Sequence, residues 1–370
     1  MREPVRAGSP VVVKVGSSSL TSVGGGLDDR AVGSVADQLA DLRSKGNAPV
    51  LVSSGAIAAG LPDLGMVQRP KDIVDLQVAA AIGQTKLMAR YGAAFGRHGI
   101  QVGQVLLTKD VLGSRTQYLN ARAALQGLLA NGVVPIVNEN DTVAVDEVRL
   151  GDNDQLAAIT AHLVSAGMLI ILTDTHGLYS DDPRVSDTAE LLAAVEHSDT
   201  ILDRLRETST KGALGSGGVA TKIAAARMAA FSGIPTVIAG SGTDDAVARA
   251  VAGDDIGTWI DPRPTSLSAR KLWIAFGLPT SGSVAIDDGA SVALRDAGRS
   301  LLAVGITAVS GSFQRSQAIE ILSADGRIVA KGLTRFSAAE LEDVIGSHSS
   351  VVGGEVVHRD DLVILDMNRG

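Results

Sequence analysis

The chain has no cysteine in its 370 residues, so disulfides, thiolate metal sites and cysteine nucleophiles are excluded. Aromatic residues amount to only 3%, which leaves the core to Ala, Val, Ile and Leu. Histidine is scarce too: the six present show no HExxH spacing, and a zinc enzyme is not expected. No run approaches the roughly 18 consecutive apolar residues of a membrane span. The first residues, MREPVRAGSP, run straight into a strand-like segment without the apolar core of a signal peptide. The cytoplasm is therefore the expected compartment. Positive charge is in deficit: 33 Lys and Arg face 41 Asp and Glu, a formal net charge of −8. That balance argues against a general binder of nucleic acid or of membrane surfaces.

What the chain does have is 45% hydrophobic residues and 42 glycines. Short aliphatic runs recur at 10–15 (PVVVKV), 49–53, 100–107, 133–138, 168–173 and 234–240. Each lies near Gly, Asn or Asp, as buried strands of a mostly parallel sheet do. Helical patterns separate them, at 28–45, 75–98, 116–132, 154–167 and 220–233. Alternation of this kind predicts an α/β fold, a mostly parallel sheet sandwiched by helices. Near Asp261 the pattern breaks, and the segment DPRPTSLSARKLWIAFGLPTSG holds three prolines and a short basic helix. Beyond about Ser283 the runs are shorter, with DG at 288–289 and 325–326 as hairpin or turn signals. The expected organisation is a large domain over 1–264, a linker over 265–279, a small mainly β domain over 280–358 and a tail over 359–370.

Five stretches carry candidate chemistry. In VVVKVGSSSL, Lys14 interrupts an apolar strand near its C-terminal end, and a Gly-Ser-Ser-Ser turn leaves backbone N–H groups open to an anion. VSSGAIAAG repeats the strand, small turn and helix at 52–60; an ordinary βα turn explains it equally well. VNEND (137–141) and GDND (151–154) place two polar clusters between apolar segments. Buried carboxylates are unfavourable unless paired, so Asp152 and Asp154 call for partners. An acidic and amide cluster suits an ammonium group or ordered lysines. LTDTHGLYSDDPR ends a strand on Thr173 and Asp174, which suit ribose, phosphate or a magnesium-bound water. GSGGVATKIAAARMAA is a glycine-rich entry into a helix with Lys222 in its first turn. It is not a Walker A loop, because Thr221 and not Gly precedes the lysine. Two lysines, glycine-rich turns and acidic strand ends are the parts that phosphoryl transfer needs, and an acceptor that is already an anion needs no general base.

KVGSS, SSGAIAAG, VNENDTVA, GDNDQLAA, LTDTHGLY, DPR and GSGGVATK occur in that order. The series resembles the amino-acid kinase family, in the branch that phosphorylates glutamate, and the likeness runs through essentially the whole chain. The C-terminal part resembles the PUA domain carried by many bacterial members. The resemblance implies transfer of the ATP γ-phosphate, with Mg²⁺, to the γ-carboxylate of L-glutamate. That reaction opens proline synthesis, with proline as the usual feedback inhibitor and glutamyl phosphate reductase as the downstream partner. It implies a homo-oligomer, often a tetramer, and metal carried by ATP instead of by a set of protein ligands. By motif, Lys14 and Lys222 would flank the transferring phosphate and Asp154 would hold both lysines. Ser54, Asp141 and Asn153 match glutamate-binding positions. Lys14, Thr173, Asp174 and the run Ser216, Gly217, Gly218, Val219, Ala220, Thr221 and Lys222 match the nucleotide site. The loop 142–151 is the natural place for proline sensitivity, and Asp152 suits a helix cap. Sibling kinases of aspartate or acetylglutamate share the Lys-Gly turn and the Thr-Asp strand end, but not VNEND with a PUA-like tail. A contrary reading is an RNA-binding regulator, since PUA domains occur in RNA-modifying enzymes. Residues 280–358 hold six basic against nine acidic side chains, which suits RNA phosphates poorly.

Overall fold

The computed structural model describes residues 2–22, 26–143, 153–210, 218–347 and 354–365. It divides into two units, 1–266 and 267–370.

In the first unit the β-branched runs form strands β1 Pro10–Val15, β2 Ala48–Ser53, β3 Val102–Leu107, β4 Val134–Glu139, β5 Met168–Thr173, β6 Ala194–Val195, β7 Thr236–Gly240 and β8 Thr258–Ile260. Among the described residues they make one sheet in the order β3-β4-β2-β1-β5-β7-β8-β6. All neighbours are parallel except β7 and β8. The helices are α1 Asp29–Ser44, α2 Ala56–Gly60, α3 Ile73–Gly96, α4 Arg115–Ala130, α5 Asn153–Val164, α6 Thr200–Thr210, α7 Val219–Phe231 and α8 Ala246–Ala252. Asp28, Asp72 and Ser114 cap α1, α3 and α4 by accepting from backbone N–H groups of the first turn.

β1 is the hub. It pairs with β2 on one side and β5 on the other, and strands β2–β4 lie to one side of that seam and β5–β8 to the other, where the strand order reverses. Open α/β sheets bind ligands outside the carboxyl ends of their strands at such a reversal. Val11, Val13 and Val15 enter a core shared with α1, α3 and α8. The alternate residue Lys14 faces the other layer, where α5 packs on β1 and α7 packs on α5. Small residues let α5 and α7 approach: Ala157, Ala158 and Ala161 on one, Ala225, Ala226, Ala229 and Ala230 on the other, all buried. This is the structural use of a composition poor in aromatics.

A second close approach fixes the turn after β2. A Cβ on Gly83 of α3 would lie 1.7 Å from the Ala56 carbonyl oxygen, and one on Gly60 of α2 would lie 1.9 Å from that of Ala79. Backbone, not side chain, occupies that space. Gly83→Ala is therefore expected to push α2 off α3 and to destabilise the first unit by about 3 kcal/mol. A thermal melt checks this, and an unchanged midpoint would show that the helices separate freely.

The second unit contains α9 Ala269–Leu272, running on into a wider helical turn at Trp273–Gly277, then β9 Thr280–Ile286, α10 Asp288–Arg295, β10 Ile306–Gly311, β11 Ala318–Leu322, β12 Ile328–Leu333, α11 Ala338–Glu342 and β13 Leu362–Ile364. Its sheet order is β10-β9-β11-β12-β13. Val284, Ile286, Ile319, Ile321, Val329 and Phe313 are among the residues of its own core. Buried Lys331 donates to the carbonyls of Ala275 and Leu278, which ties the helical segment to β12. Asp325–Gly326 turns between antiparallel β11 and β12, as the DG signal predicts. The other DG is a correction: Asp288–Gly289 opens α10 and is not a hairpin turn. The reason is Asp287, whose carboxylate accepts from the Ala290 N–H at 2.6 Å and caps a helix there.

Candidate active site

Lys14 sits one residue from the end of β1, level with Val52 of β2 and Ile171 of β5. Its Nζ lies 2.6 Å from Asp154 Oδ1. Lys222, in the first turn of α7, approaches the other oxygen at 3.9 Å. Thr221 donates its hydroxyl to that same Oδ2 at 2.7 Å. Asp154 is 0% exposed and occupies the first turn of α5, where the helix dipole favours an anion. Burial alone would push its carboxyl up, but Lys14, Lys222 and Thr221 together hold it below the usual carboxylate range. Burial draws the Lys222 ammonium down, Asp154 opposes that and Lys14 adds to it. Asp154 has the partners its burial calls for: it is the shared counter-ion of two lysines from different layers of the fold.

Lys14 and Lys222 line a cavity of about 420 Å³ together with Ser54, Asp141, Asn153, Thr173, Asp174, Gly218 and Val219. Residues 16–18 of the turn after β1 line it too. Asp154 lies behind the two lysines and not on the cavity wall, and Thr221 spends its hydroxyl on Asp154. Ser216, Gly217, Asp152 and residues 144–151 lie outside the described residues. Thr173 donates to Asp174 Oδ1 at 3.0 Å, at the end of β5.

An amide chain holds Asn153. Its Nδ2 donates to Asn138 Oδ1 at 2.8 Å and to Ser54 Oγ at 2.9 Å. Asn138 Nδ2 in turn donates to Gln84 Oε1 at 2.8 Å, and Gln84 Nε2 to Gln104 Oε1 at 3.3 Å. Every bond in the chain runs the same way, and among the described residues buried Asn153 Oδ1 has no donor. Asn153 and Ser54 of this chain line the cavity. Asp141, after β4, supplies a carboxylate on the same wall. Burial pushes that carboxyl up to about 6, with Arg69 pulling the other way.

Sequence reasoning found Lys14, Asp154 and Lys222, and the structure brings them together. It passed over Gln84, Arg69 and Arg184, the last two of which line the cavity. Arg184 was visible within the DPR motif. Gln84 and Arg69 had no local signal: one is mid-helix and the other stands between helices, and only the fold brings them to the site.

Two buried ammonium groups on one carboxylate, beside a polar cavity at strand ends and a helix N-terminus, define the class of a phosphoryl-transfer enzyme without a Walker A loop. Comparison with known proteins agrees. Residues 9–240 match the amino acid kinase family, and residues 282–352 match the PUA domain. The chain belongs to the amino acid kinase family. It is 45% identical to the glutamate 5-kinase of Marinomonas sp. (strain MWYL1), over 99% of this chain and 100% of that one. The glutamate 5-kinases of Pseudomonas entomophila (strain L48) and Pseudomonas putida (strain W619) are 44% and 45% identical over the same shares. Among the described residues, no helix is long and apolar enough to cross a membrane.

Proposed function

We propose that the chain transfers the γ-phosphoryl group of ATP to the γ-carboxylate of L-glutamate, giving L-glutamyl 5-phosphate and ADP, the first step from glutamate to proline. The observation that carries this reading is the Lys14–Asp154–Lys222 group sharing one cavity with Ser54, Asn153 and Asp141. A carboxylate oxygen attacks the γ-phosphorus, a P–O bond forms, the bond to the β,γ-bridging oxygen breaks, and ADP leaves with the electron pair. The acceptor is already an anion, so no proton has to be removed. Lys14 contacts the transferring phosphoryl group and Lys222 the charge that grows as the bond to ADP breaks. Asp154 keeps both ammonium groups aimed. Asn153 and Asp141 take the α-ammonium of glutamate, and Ser54 lies with them on the cavity wall. Thr173, Asp174 and the segment from Ser216 to Lys222 hold the nucleotide.

Magnesium enters with ATP as part of that substrate. Among the described residues no three acidic or histidine side chains form a cage for a metal. Mg²⁺ commonly keeps several waters and takes one or two carboxylates plus substrate phosphates. Asp174, exposed on the cavity wall, fits that need. The reading carries with it proline as feedback inhibitor, a glutamyl phosphate reductase to consume the acyl phosphate, a homo-oligomeric state and a cytoplasmic location.

The direct test is ATP-dependent hydroxamate formation with hydroxylamine, comparing L-glutamate, L-aspartate and N-acetyl-L-glutamate. Signal with L-glutamate alone supports the reading. Signal with another acid transfers the chain to a sibling activity, and no signal with any of them rejects it.

The Asp141 carboxyl gives a pH signature. Its charged form predominates above about 6, and only that form pairs with an ammonium. The γ-carboxylate of glutamate, with an ordinary pKa of about 4.3, stays largely ionised down to pH 5. The KM for glutamate is therefore expected to be flat above pH 7 and to rise as pH falls through about 6. Asp141→Asn should give a raised KM without that rise. A wild-type KM constant from pH 8 to pH 5 would remove Asp141 from the ammonium site.

A further inference from the structure

We propose that Arg69 binds the α-carboxylate of the acceptor beside Asp141, so that the two side chains together read its zwitterionic amino-acid head. The inference rests on the glutamate reading above and names a specificity residue that the motifs do not contain.

An α-amino acid brings one ammonium and one α-carboxylate to the site, besides the carboxylate that reacts. Asp141 can serve only the ammonium. Among the described residues the basic side chains that line the cavity are Lys14, Arg69, Arg184 and Lys222. Lys14 and Lys222 are gathered on Asp154. Arg184 is clamped by Asp182 through Nε at 3.0 Å and Nη2 at 3.1 Å, with Asp174 of the Thr-Asp strand end adding a smaller favourable charge. Arg69 is the cation whose field falls on Asp141, and Asp141 is the anion whose field falls on Arg69. They come from different connections, Arg69 between α2 and α3 and Asp141 directly after β4. The fold alone makes them neighbours.

The chemistry of the pair matches the head group. A guanidinium presents planar N–H donors that suit a carboxylate better than an ammonium would. With the site free of substrate, Arg69 offsets part of the burial of Asp141. A zwitterion that enters between them gives each side chain an opposite charge and leaves the sum at zero. An acceptor that lacks the α-carboxylate brings an ammonium that must compete with Arg69 for Asp141, and it gives Arg69 nothing in return. Arg69 thus works against simple ω-carboxylic amines as well as for amino acids.

The test is steady-state kinetics of the full chain with L-glutamate as acceptor. The inhibition constant of 4-aminobutyrate, which is glutamate without its α-carboxylate, is measured beside it. Variants are Arg69→Leu and Arg69→Lys, with KM for ATP and the thermal midpoint as controls. The expected result for Arg69→Leu is a KM for L-glutamate raised about 10- to 100-fold, the scale of a hydrogen bond to a charged partner. Its kcat and KM for ATP should stay within about twofold, as loss of uniform substrate binding requires. The affinity for 4-aminobutyrate should not fall, so the preference for glutamate shrinks by the same factor, and Arg69→Lys should recover part of it. If Arg69→Leu keeps the wild-type preference, the inference is overturned whether or not the thermal midpoint moves, because a purely structural arginine would give that result. Wild-type enzyme that forms no hydroxamate from L-glutamate would instead sink the glutamate reading itself.

Discussion

Asp154→Asn is expected to leave a folded protein whose kcat is lower by about 10³-fold, the scale on which a preorganised charge-stabilising group acts. The substitution conserves shape. The Asn oxygen can still accept from Thr221, now 2.7 Å from Asp154 Oδ2, so α5 and α7 keep their junction. What disappears is the charge. Lys14, 2.6 Å away, and Lys222, 3.9 Å away, would then face each other across a neutral amide. Removing one partner from a buried ionic group commonly costs about 3–5 kcal/mol; here both lysines line a cavity that water and anions reach, which places the expected loss at or below the lower end. The Lys222 ammonium is already drawn down by burial and by Lys14, with Asp154 the larger and Asp174 the smaller group opposing them. Without Asp154 it falls further, and residual activity of the variant should shift toward acid pH relative to wild type. Circular dichroism, a thermal melt and a kcat–pH profile check the three parts. Wild-type turnover in a folded variant would remove Asp154 from the machinery.

The same group of residues marks how far a sequence can be read. β1 and β5 were legible residue for residue, because aliphatic runs bounded by Gly, Asp and Pro leave few alternatives. Lys14 stood out because a lysine in an apolar strand has to be accounted for. β6 and β8 were not legible: two and three residues are too few to show a period. α8 spans seven residues, about two turns, and α6 is charge-rich with Leu202 and Leu205 as its main buried contacts. The site separates in the same way. Residues that lie inside short motifs were found. The link between Asp154 and Lys222 joins two helices across 68 positions and follows from α5 packing on α7, which alanine content permits but does not announce. Gln84 became visible only once Gly83 was seen to bring α3 against α2, because that contact sets the next residue beside Asn138.

Lys14→Met is the complementary expected result: kcat lower by about 10²- to 10³-fold, with the KM for glutamate changed little. The Met side chain keeps much of the volume and apolar contact in β1 and removes the ammonium. Asp154, 0% exposed, then loses its nearest partner and retains Lys222 and Thr221. Its burial, no longer offset by Lys14, raises its folded pKa from the present depressed position. The sign follows by linkage. A depressed folded carboxyl contributes stability that is present above its unfolded pKa and lost as pH falls; raising the folded pKa removes that contribution. The Tm deficit of Lys14→Met should therefore be largest at neutral pH and should narrow toward pH 4. Lys14→Arg should be nearly as stable as wild type and still slow. A guanidinium is not a compact point charge and does not give the transferring phosphoryl group the same contact. The decisive variant is the double one. If Lys14 and Asp154 act as one unit, Lys14→Met with Asp154→Asn should be scarcely slower than either single change and more stable at pH 7 than Lys14→Met alone, since no buried carboxylate is left short of its nearest counter-charge. Additive losses in kcat would show that the two residues act on the reaction independently, and the carboxylate would then need a role other than holding the lysines.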